Sequence, residues 1–457
     1  MTTTNTNSPL PPGSLGLPLV GETLSFLRDN NFAEKREKKY GKIYKSHIFG
    51  NPTIFLAGAE ANKFLFSNEN KYFTATWPKS TKILLGPSSL STQQGSVHQQ
   101  RRRLLAKAFQ PRALANYIPA IETVTASYLE RWAEMVTLTW HPEIRDYTFN
   151  IAGRLFMGSD DSSQKKLASL FEEWVKGLFS IPISLPWTRF GKSLRCRQKL
   201  LQHIEEIVLQ RQQQQNGGED VLGMLLQAQD EQGDSLPLNE LKDQILLLLF
   251  AGHETLTSAI ASFCLLTSQN LDVLIRLRQE QKQFSIIEPL TLESLKQMTY
   301  LDMVLKEVLR LIPPVGAGFR QVIQDCEFGG YSIPKGWLVM YQIGKTHQDE
   351  TLYPDDQNFK PERFAPENAI DKQKVFGYIP FGGGMRECLG KEFARLEMKI
   401  FAVILLRSYE WELLPEQDLS LVTLPAPYPR DGLKVKLRKL NNTWFVNLAE
   451  SLIVTSL

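Results

Sequence analysis

From Leu238 to Asn270 apolar residues recur at helical spacing without a break, and the stretch reads as one helix of several turns crossing the centre of the molecule. Its most apolar part, ILLLLFAG from Ile245 to Gly252, is far shorter than the roughly 20 residues a membrane span needs, and His253 and Glu254 follow it directly. It reads as a buried helix, and no transmembrane span is expected. Length alone would suggest two or three domains for 457 residues, but one long central helix argues for a single large one.

Most of the remaining chain also has helical period. Ile121, Val124, Tyr128, Leu129 and Trp132, for example, recur at three- and four-residue steps. Strands are sparse. Ile43, Ile48, Ile54 and Leu56 lie in short alternating segments either side of Gly50-Asn51-Pro52, which predicts a hairpin. A second hairpin is expected at Pro334-Lys335-Gly336, between YSI and WLVMYQI. The polar stretch QRQQQQNGGED, 210–220, is short enough to be an exposed connection between two helices. No repeat is visible, and the fold class expected is mainly α with small β-sheets.

Lys plus Arg number 52 and Asp plus Glu 49, a net charge of +3, so the total carries no nucleic-acid footprint and any basic surface must be local. Four cysteines, Cys196, Cys264, Cys326 and Cys388, are widely separated with no C-x-x-C pair. That spacing argues against a zinc knuckle or a disulfide framework and suits a reducing cytoplasm. The opening 1–21 is polar and then rich in Pro and Gly, without the basic and apolar regions of a signal peptide, and reads as a tethered leading segment.

The chemistry gathers at FGGGMRECLG, 381–390, which sets Cys388 among glycines. A lone cysteine is usually a small buried hydrophobe, but here Gly382, Gly383, Gly384 and Gly390 leave backbone free to approach a flat ligand, and Arg386 adds a cation two residues before the sulfur. A helix opening near Gly390 would aim N–H groups at the sulfur and favour thiolate, the state of a metal ligand.

These residues resemble the cysteine loop of the cytochrome P-450 family of haem-thiolate proteins: Phe381, Gly384, Arg386, Cys388 and Gly390 fill its five fixed positions. The resemblance implies a P-450 fold, a large helical domain with small sheets around a buried haem b, and Cys388 as the axial ligand of its iron. Further landmarks agree. KEVLR places Glu307 and Arg310 on one helix face, and PERF supplies Arg363; the family joins these three in a buried network supporting the haem loop, where the plain reading of the first two is a surface ion pair. AGHET, 251–255, matches the motif of the family's central helix. There Ala251 and Gly252 would leave room above the cofactor, and Glu254 and Thr255 would relay the protons that dioxygen cleavage consumes. Taken alone, a buried Thr bonds its own i−4 carbonyl and a buried Glu needs a partner. GSVHQQRRRLLAKAF looks like the propionate-binding helix, with His98 in place of the usual Trp and Arg102 one turn on; Arg320 resembles another propionate partner.

The resemblance spans the leader to about Leu440 and is nearest to the branch that hydroxylates retinoic acid, which includes soluble bacterial members, through His98, FAGHETLTSA and LRLIPPVGAGFR. It implies a monomeric monooxygenase whose catalytic domain covers 1–440, working in the cytoplasm. Apolar segments at Leu178–Trp187, Trp77-Pro78 and Val315–Phe319 are expected to line a pocket for a long, flat hydrocarbon. No flavin, nicotinamide or iron–sulfur motif occurs, so electrons are expected from a separate acidic ferredoxin or flavodoxin, steered by the basic stripe Lys391, Arg395 and Lys399. A haem-thiolate isomerase or peroxygenase would not need Glu254 and Thr255, and a haem sensor or electron carrier would not need a pocket. The tail 441–457 extends past the family's usual end; its role is left open between packing on the body and a weak membrane contact.

Overall fold

A computed structural model describes residues 8–440 apart from 18–20, 160, 214–217, 219, 230–232 and 285–287. The tail 441–457 therefore lies outside the described residues, as do 214–217 and 219 of the polar stretch 210–220, whose first four residues end the helix Arg189–Gln213. The central helix runs unbroken over Leu238–Gln269, 32 residues, and ends where the Asn270 side chain donates to the Leu266 carbonyl at 2.7 Å. It is long and apolar enough to cross a membrane, yet its most apolar window is 72% buried inside the protein.

Its main neighbour is the helix Trp140–Met157. The two approach closely because Gly252 lacks a side chain: a Cβ there would lie 2.8 Å from Cε2 of Phe156. Polar groups in this interface satisfy one another, with the Thr148 hydroxyl 2.8 Å from His253 Nδ1 and 2.7 Å from the Thr257 hydroxyl. Around this pair the helices Pro111–Met135 and Lys391–Ser408 bury Ile121, Leu129, Trp132, Ile400 and Phe401 in one continuous core. The helical period of the sequence is thus the period of the core.

A five-stranded sheet lies beside the helices, with strands in the order Ile43–Ile48, Asn51–Leu56, Leu338–Gln342, Ala317–Val322 and Phe73–Ala75. The first two form the expected hairpin, turned by Phe49 and Gly50 at φ 51° and 75°, the paired left-handed conformation that matches strand twist. The leader is tied to this edge: Lys45 N–H donates to the Pro12 carbonyl at 2.8 Å, and Ser332 N–H to the Pro9 carbonyl at 3.0 Å.

The second expected hairpin is not formed at Pro334–Gly336. Tyr331–Ile333 instead folds back on Cys326–Phe328 through Gly329 and Gly330, both at positive φ, and Leu338–Gln342 pairs with strands of the large sheet. Two adjacent glycines make the tight turn, and Pro334–Gly336 passes the chain from one sheet to the other, held where Gly336 N–H meets the Val322 carbonyl at 2.9 Å.

Candidate active site

The cysteine loop is fixed from beneath by a buried polar network. Glu307, Arg310 and Arg363 are all buried, which overturns the plain reading of a surface ion pair. Arg310 donates from Nε and Nη2 to the two Glu307 carboxylate oxygens at 2.7 and 2.9 Å, and Arg363 Nε donates to Oε1 at 3.0 Å. The remaining guanidinium hydrogens reach the carbonyls of His347, Asp356 and Pro354. His347 in turn accepts the Ile379 N–H on Nε2 at 2.9 Å, at the entrance of the loop. Gly382 N–H then closes on the Ile379 carbonyl and Cys388 N–H on the Phe381 carbonyl, each at 2.9 Å. An acid and two arginines thereby hold the backbone that carries Cys388.

Cys388 is exposed, whereas Cys264 and Cys326 are buried and Cys196 is half-buried. The helix Lys391–Ser408 opens just after it, as its sequence suggests. The sulfur is open to a cleft yet set deep among protein atoms, and the desolvation they impose raises its pKa above the ordinary value, against the Gly390 N–H and the Arg102 guanidinium, which lower it, so the expected bias toward thiolate is only partly realised. Desolvation wins, so a thiolate here calls for a cation at the sulfur, which is what a metal ion supplies.

The central helix has an open face of its own. Within a helix buried along most of its length, Ala251 is exposed and Thr255, one turn on, is half-buried, so these two share an open face. Gly252 does not open that face, contrary to expectation, because its hydrogen points at Phe156. Phe156 leads back to the cysteine loop: its ring lies 6.4 Å from that of Phe109, whose Cε1 would be 3.8 Å from a Cβ on Gly390. Two aromatic rings therefore separate the AGHET turn from the loop of Cys388.

The Thr255 hydroxyl donates to the Ala251 carbonyl at 2.7 Å. Glu254 turns away to its own partner, Arg145, whose Nη2 donates to Oε1 at 2.8 Å; His253 Nε2 lies 3.4 Å from the same oxygen. Burial raises the Glu254 pKa above the ordinary carboxylate value, with Arg145 opposing. Arg145, from the helix Trp140–Met157, is partly exposed and so connects this buried acid with solvent. Sequence reading missed it, because 109 positions separate Arg145 from Glu254 and no local motif marks the pair.

A cluster of positive charge borders the loop. Arg102 Nη2 donates to the Glu387 carbonyl at 2.7 Å and Arg386 Nη2 to the Gln93 carbonyl at 2.8 Å. Arg320 is buried and pairs through Nε with Glu69 at 2.6 Å, a partner the sequence gave no sign of. His98 is buried too, and burial together with Arg386 and Arg102 pushes its pKa down to about 4, leaving it neutral. Burial likewise brings Arg386 down to about 10, with Arg320 and Arg102 adding to the effect and Glu69 opposing it. Three guanidiniums, Arg102, Arg386 and Arg320, thus border the loop, against Glu69, paired with Arg320, and Glu387, paired with Lys391 at 3.0 Å. An excess of two positive charges suits a ligand with two carboxylates, and a haem carries two.

Leu178 is buried and Phe179 half-buried, whereas every residue from Ile181 to Trp187, in the connection between the helices Asp161–Val175 and Arg189–Gln213, is exposed. One expectation about surfaces changes. The basic stripe is largely neutralised within the chain: Lys391 pairs with Glu387, Arg395 with Glu392 at 3.3 Å and Lys399 with Asp302 at 3.0 Å. Beside it lies a groove of about 530 Å³, bordered by Lys296, Met303, Lys372, Arg395 and Leu396.

A mainly helical fold around one long helix, with a cysteine on a glycine loop in a cleft and an Ala-Gly-x-acid-Thr turn on the long helix, defines a haem-thiolate protein. The family model described as "Cytochrome P450" matches residues 11–429, and the chain belongs to that family of haem-containing monooxygenases. Among its relatives, "Putative cytochrome P450 120" of Synechocystis sp. (strain ATCC 27184 / PCC 6803 / Kazusa) is 54% identical over 96% of this chain and 99% of its own length. "Cytochrome P450 26A1" of Gallus gallus is 37% identical, covering 94% of this chain and 90% of its own. The solved structure titled "Retinoic acid bound cyanobacterial CYP120A1" superposes with a TM-score of 0.93 at 54% identity, over 95% of this chain and 100% of that one.

Proposed function

We propose that this monooxygenase, as one catalytic domain over 1–440, hydroxylates a C–H bond of retinoic acid or a closely related retinoid. The observation that carries the substrate class is the likeness, at 54% identity and a TM-score of 0.93, to a chain solved with retinoic acid bound. Haem, when bound, supplies the activation of dioxygen. In this reading Cys388 is the axial ligand of the iron, as the exposed cysteine on a loop that the Glu307 network holds still. Phe381, Gly390 and Ala251 flank the cofactor, and Arg102, Arg386 and Arg320, with neutral His98, hold its carboxylates.

Proton delivery falls to Glu254 and Thr255. Glu254 takes protons from the solvent side at Arg145 and swings toward the open face of the helix, and the Thr255 hydroxyl orients the water that carries them on. Electrons come from a separate acidic ferredoxin or flavodoxin in the cytoplasm. Since the stripe residues are paired, its docking rests more on Lys296 and Lys372, exposed lysines at the groove that form no ion pair among the described residues.

The test is a titration of the ferric holoprotein with retinoic acid, fatty acids and terpenoids, followed by turnover with a ferredoxin system. Retinoic acid should shift the haem spin state at the lowest concentration and yield a hydroxylated product. A spin shift and product with a fatty acid or terpenoid but not with the retinoid would overturn the substrate assignment.

A further inference from the structure

Where the central helix meets Trp140–Met157, the buried side chains of Thr148, Thr257 and His253 share their few protons, and counting them fixes which nitrogen of His253 is bare. Burial, with Arg145 and His141 adding to it, pushes the His253 pKa well below its ordinary value, so the ring is neutral and carries a single N–H. Its Nδ1 lies 2.8 Å from the Thr148 hydroxyl, which lies 2.7 Å from the Thr257 hydroxyl. Thr257 is also 2.9 Å from the His253 carbonyl one turn back, and Thr148 3.1 Å from that of Ile144. If Thr257 spends its proton on that carbonyl, Thr148 gives its own to Thr257 or to Ile144, and in both cases Nδ1 supplies the hydrogen of the 2.8 Å contact. The reverse allocation, Thr257 to Thr148 and Thr148 to Nδ1, leaves both carbonyl contacts unmade. The network thus puts the proton on Nδ1 and leaves Nε2 an acceptor.

That bare nitrogen meets Glu254. Nε2 lies 3.4 Å from Oε1, the same oxygen to which Arg145 Nη2 donates at 2.8 Å. A guanidinium favours the carboxylate, whereas a lone pair repels it and favours the acid, which can donate to it. A proton on Oε1 gains by shortening the contact. Glu172, exposed on the helix Asp161–Val175, adds a like charge that also favours the acid. The imidazole is wedged in place by Phe149 and Phe171, whose rings meet it edge to face with centroids 5.3 and 5.5 Å away. One carboxylate oxygen therefore sits between a cation that asks for its charge and a nitrogen that asks for its proton.

We propose that His253 is a positioning residue for Glu254: its bare Nε2, fixed by Thr148 and Thr257, accepts a hydrogen bond from the protonated acid and so lets Glu254 take up a proton while it still sits at Arg145. The use of that proton rests on the relay reading above. Loading then precedes the swing toward Thr255, and the acid leaves Arg145 already carrying what it delivers.

Infrared titration of the full-length ferric holoprotein reads Glu254 directly, as the carboxyl band that Glu254→Gln lacks. His253→Phe keeps an aromatic ring between Phe149 and Phe171 but removes the acceptor, so the band should titrate about one pH unit lower than in wild type. Thr148→Val is the sharper variant, since it is close to isosteric and reaches the acid only through His253. Without that hydroxyl the ring is free to carry its proton on Nε2 and donate it to the carboxylate. The midpoint should again fall, and adding Thr148→Val to His253→Phe should lower it no further. A ring that merely fills space would leave the midpoint of Thr148→Val where it was. An unmoved or raised midpoint in that variant, with the haem spectrum intact, would overturn the proposal whatever becomes of His253→Phe, and so would shifts that simply add in the double variant. Failure of the relay itself shows elsewhere, as undiminished coupling of product to electrons in Glu254→Gln.

Discussion

Thr255 commits its hydroxyl proton to the Ala251 carbonyl and so faces the open side of the helix as an acceptor. Thr255→Ala removes that acceptor without touching Cys388 or the packing of the helix. Substrate should still shift the spin state, while the ratio of hydroxylated product to electrons consumed falls about tenfold and hydrogen peroxide rises. Unchanged coupling would move the role to another hydroxyl or an ordered water. At Cys388 the expectation is sharper, since the other three cysteines are buried or half-buried. Cys388→His should keep some haem and lose the far-red Soret band of the reduced carbonyl complex; a variant retaining that band would place the thiolate elsewhere. Both residues were legible from short motifs. Their partners were not: Arg145 and Glu69 become neighbours of Glu254 and Arg320 only when distant helices and strands are packed.

Among the elements, the contact of the central helix with Trp140–Met157 depends on Gly252. Gly252→Ala would drive a methyl group into the buried ring of Phe156, 2.8 Å away, and should cost about 1–3 kcal/mol by overpacking. Phe156→Leu removes the obstructing ring edge, so denaturant unfolding of the double variant should show less loss than the two single losses added. Simple additivity would mean that the glycine serves the cavity instead. Under the cysteine loop, Glu307→Ala strands two buried guanidiniums and should destabilise by about 3–5 kcal/mol, read as lost haem content on purification. The pairing of Glu307 with Arg310 was foreseeable from their spacing, but not their burial. Spacing sets which side chains share a helix face, whereas burial depends on what packs against it.

For the molecule as a whole, histidines held neutral by their surroundings tie stability to pH. His347 is buried, and desolvation with Arg310 nearby pushes its pKa down to about 3; burial and Arg145 push His141 down to about 4. An unfolded chain would protonate both near pH 6.5. Between the folded and unfolded values the unfolded state binds more protons. Stability should therefore fall as acid is added, by about 1.4 kcal/mol per pH unit for each such histidine. His347→Gln should flatten that slope in denaturant titrations between pH 6 and about 4. An equal slope in wild type and variant would show that His347 is not held neutral.

The sequence by itself determined the long helix, the helical majority, the cysteine loop and the AGHET turn, because each is written in residues within a few turns of one another and depends on periodicity or on glycine's freedom. Tertiary structure alone decided which way Gly252 points, which acid meets which arginine, and where the turn after Ile333 delivers its strand. It also decided that Ile181–Trp187 are exposed and that the stripe along Lys391–Lys399 is largely neutralised by Glu387, Glu392 and Asp302. An apolar run has the same composition whether it is buried or exposed. A charge likewise keeps its sign in the sequence, while its field depends on the neighbour that folding places a few ångströms away.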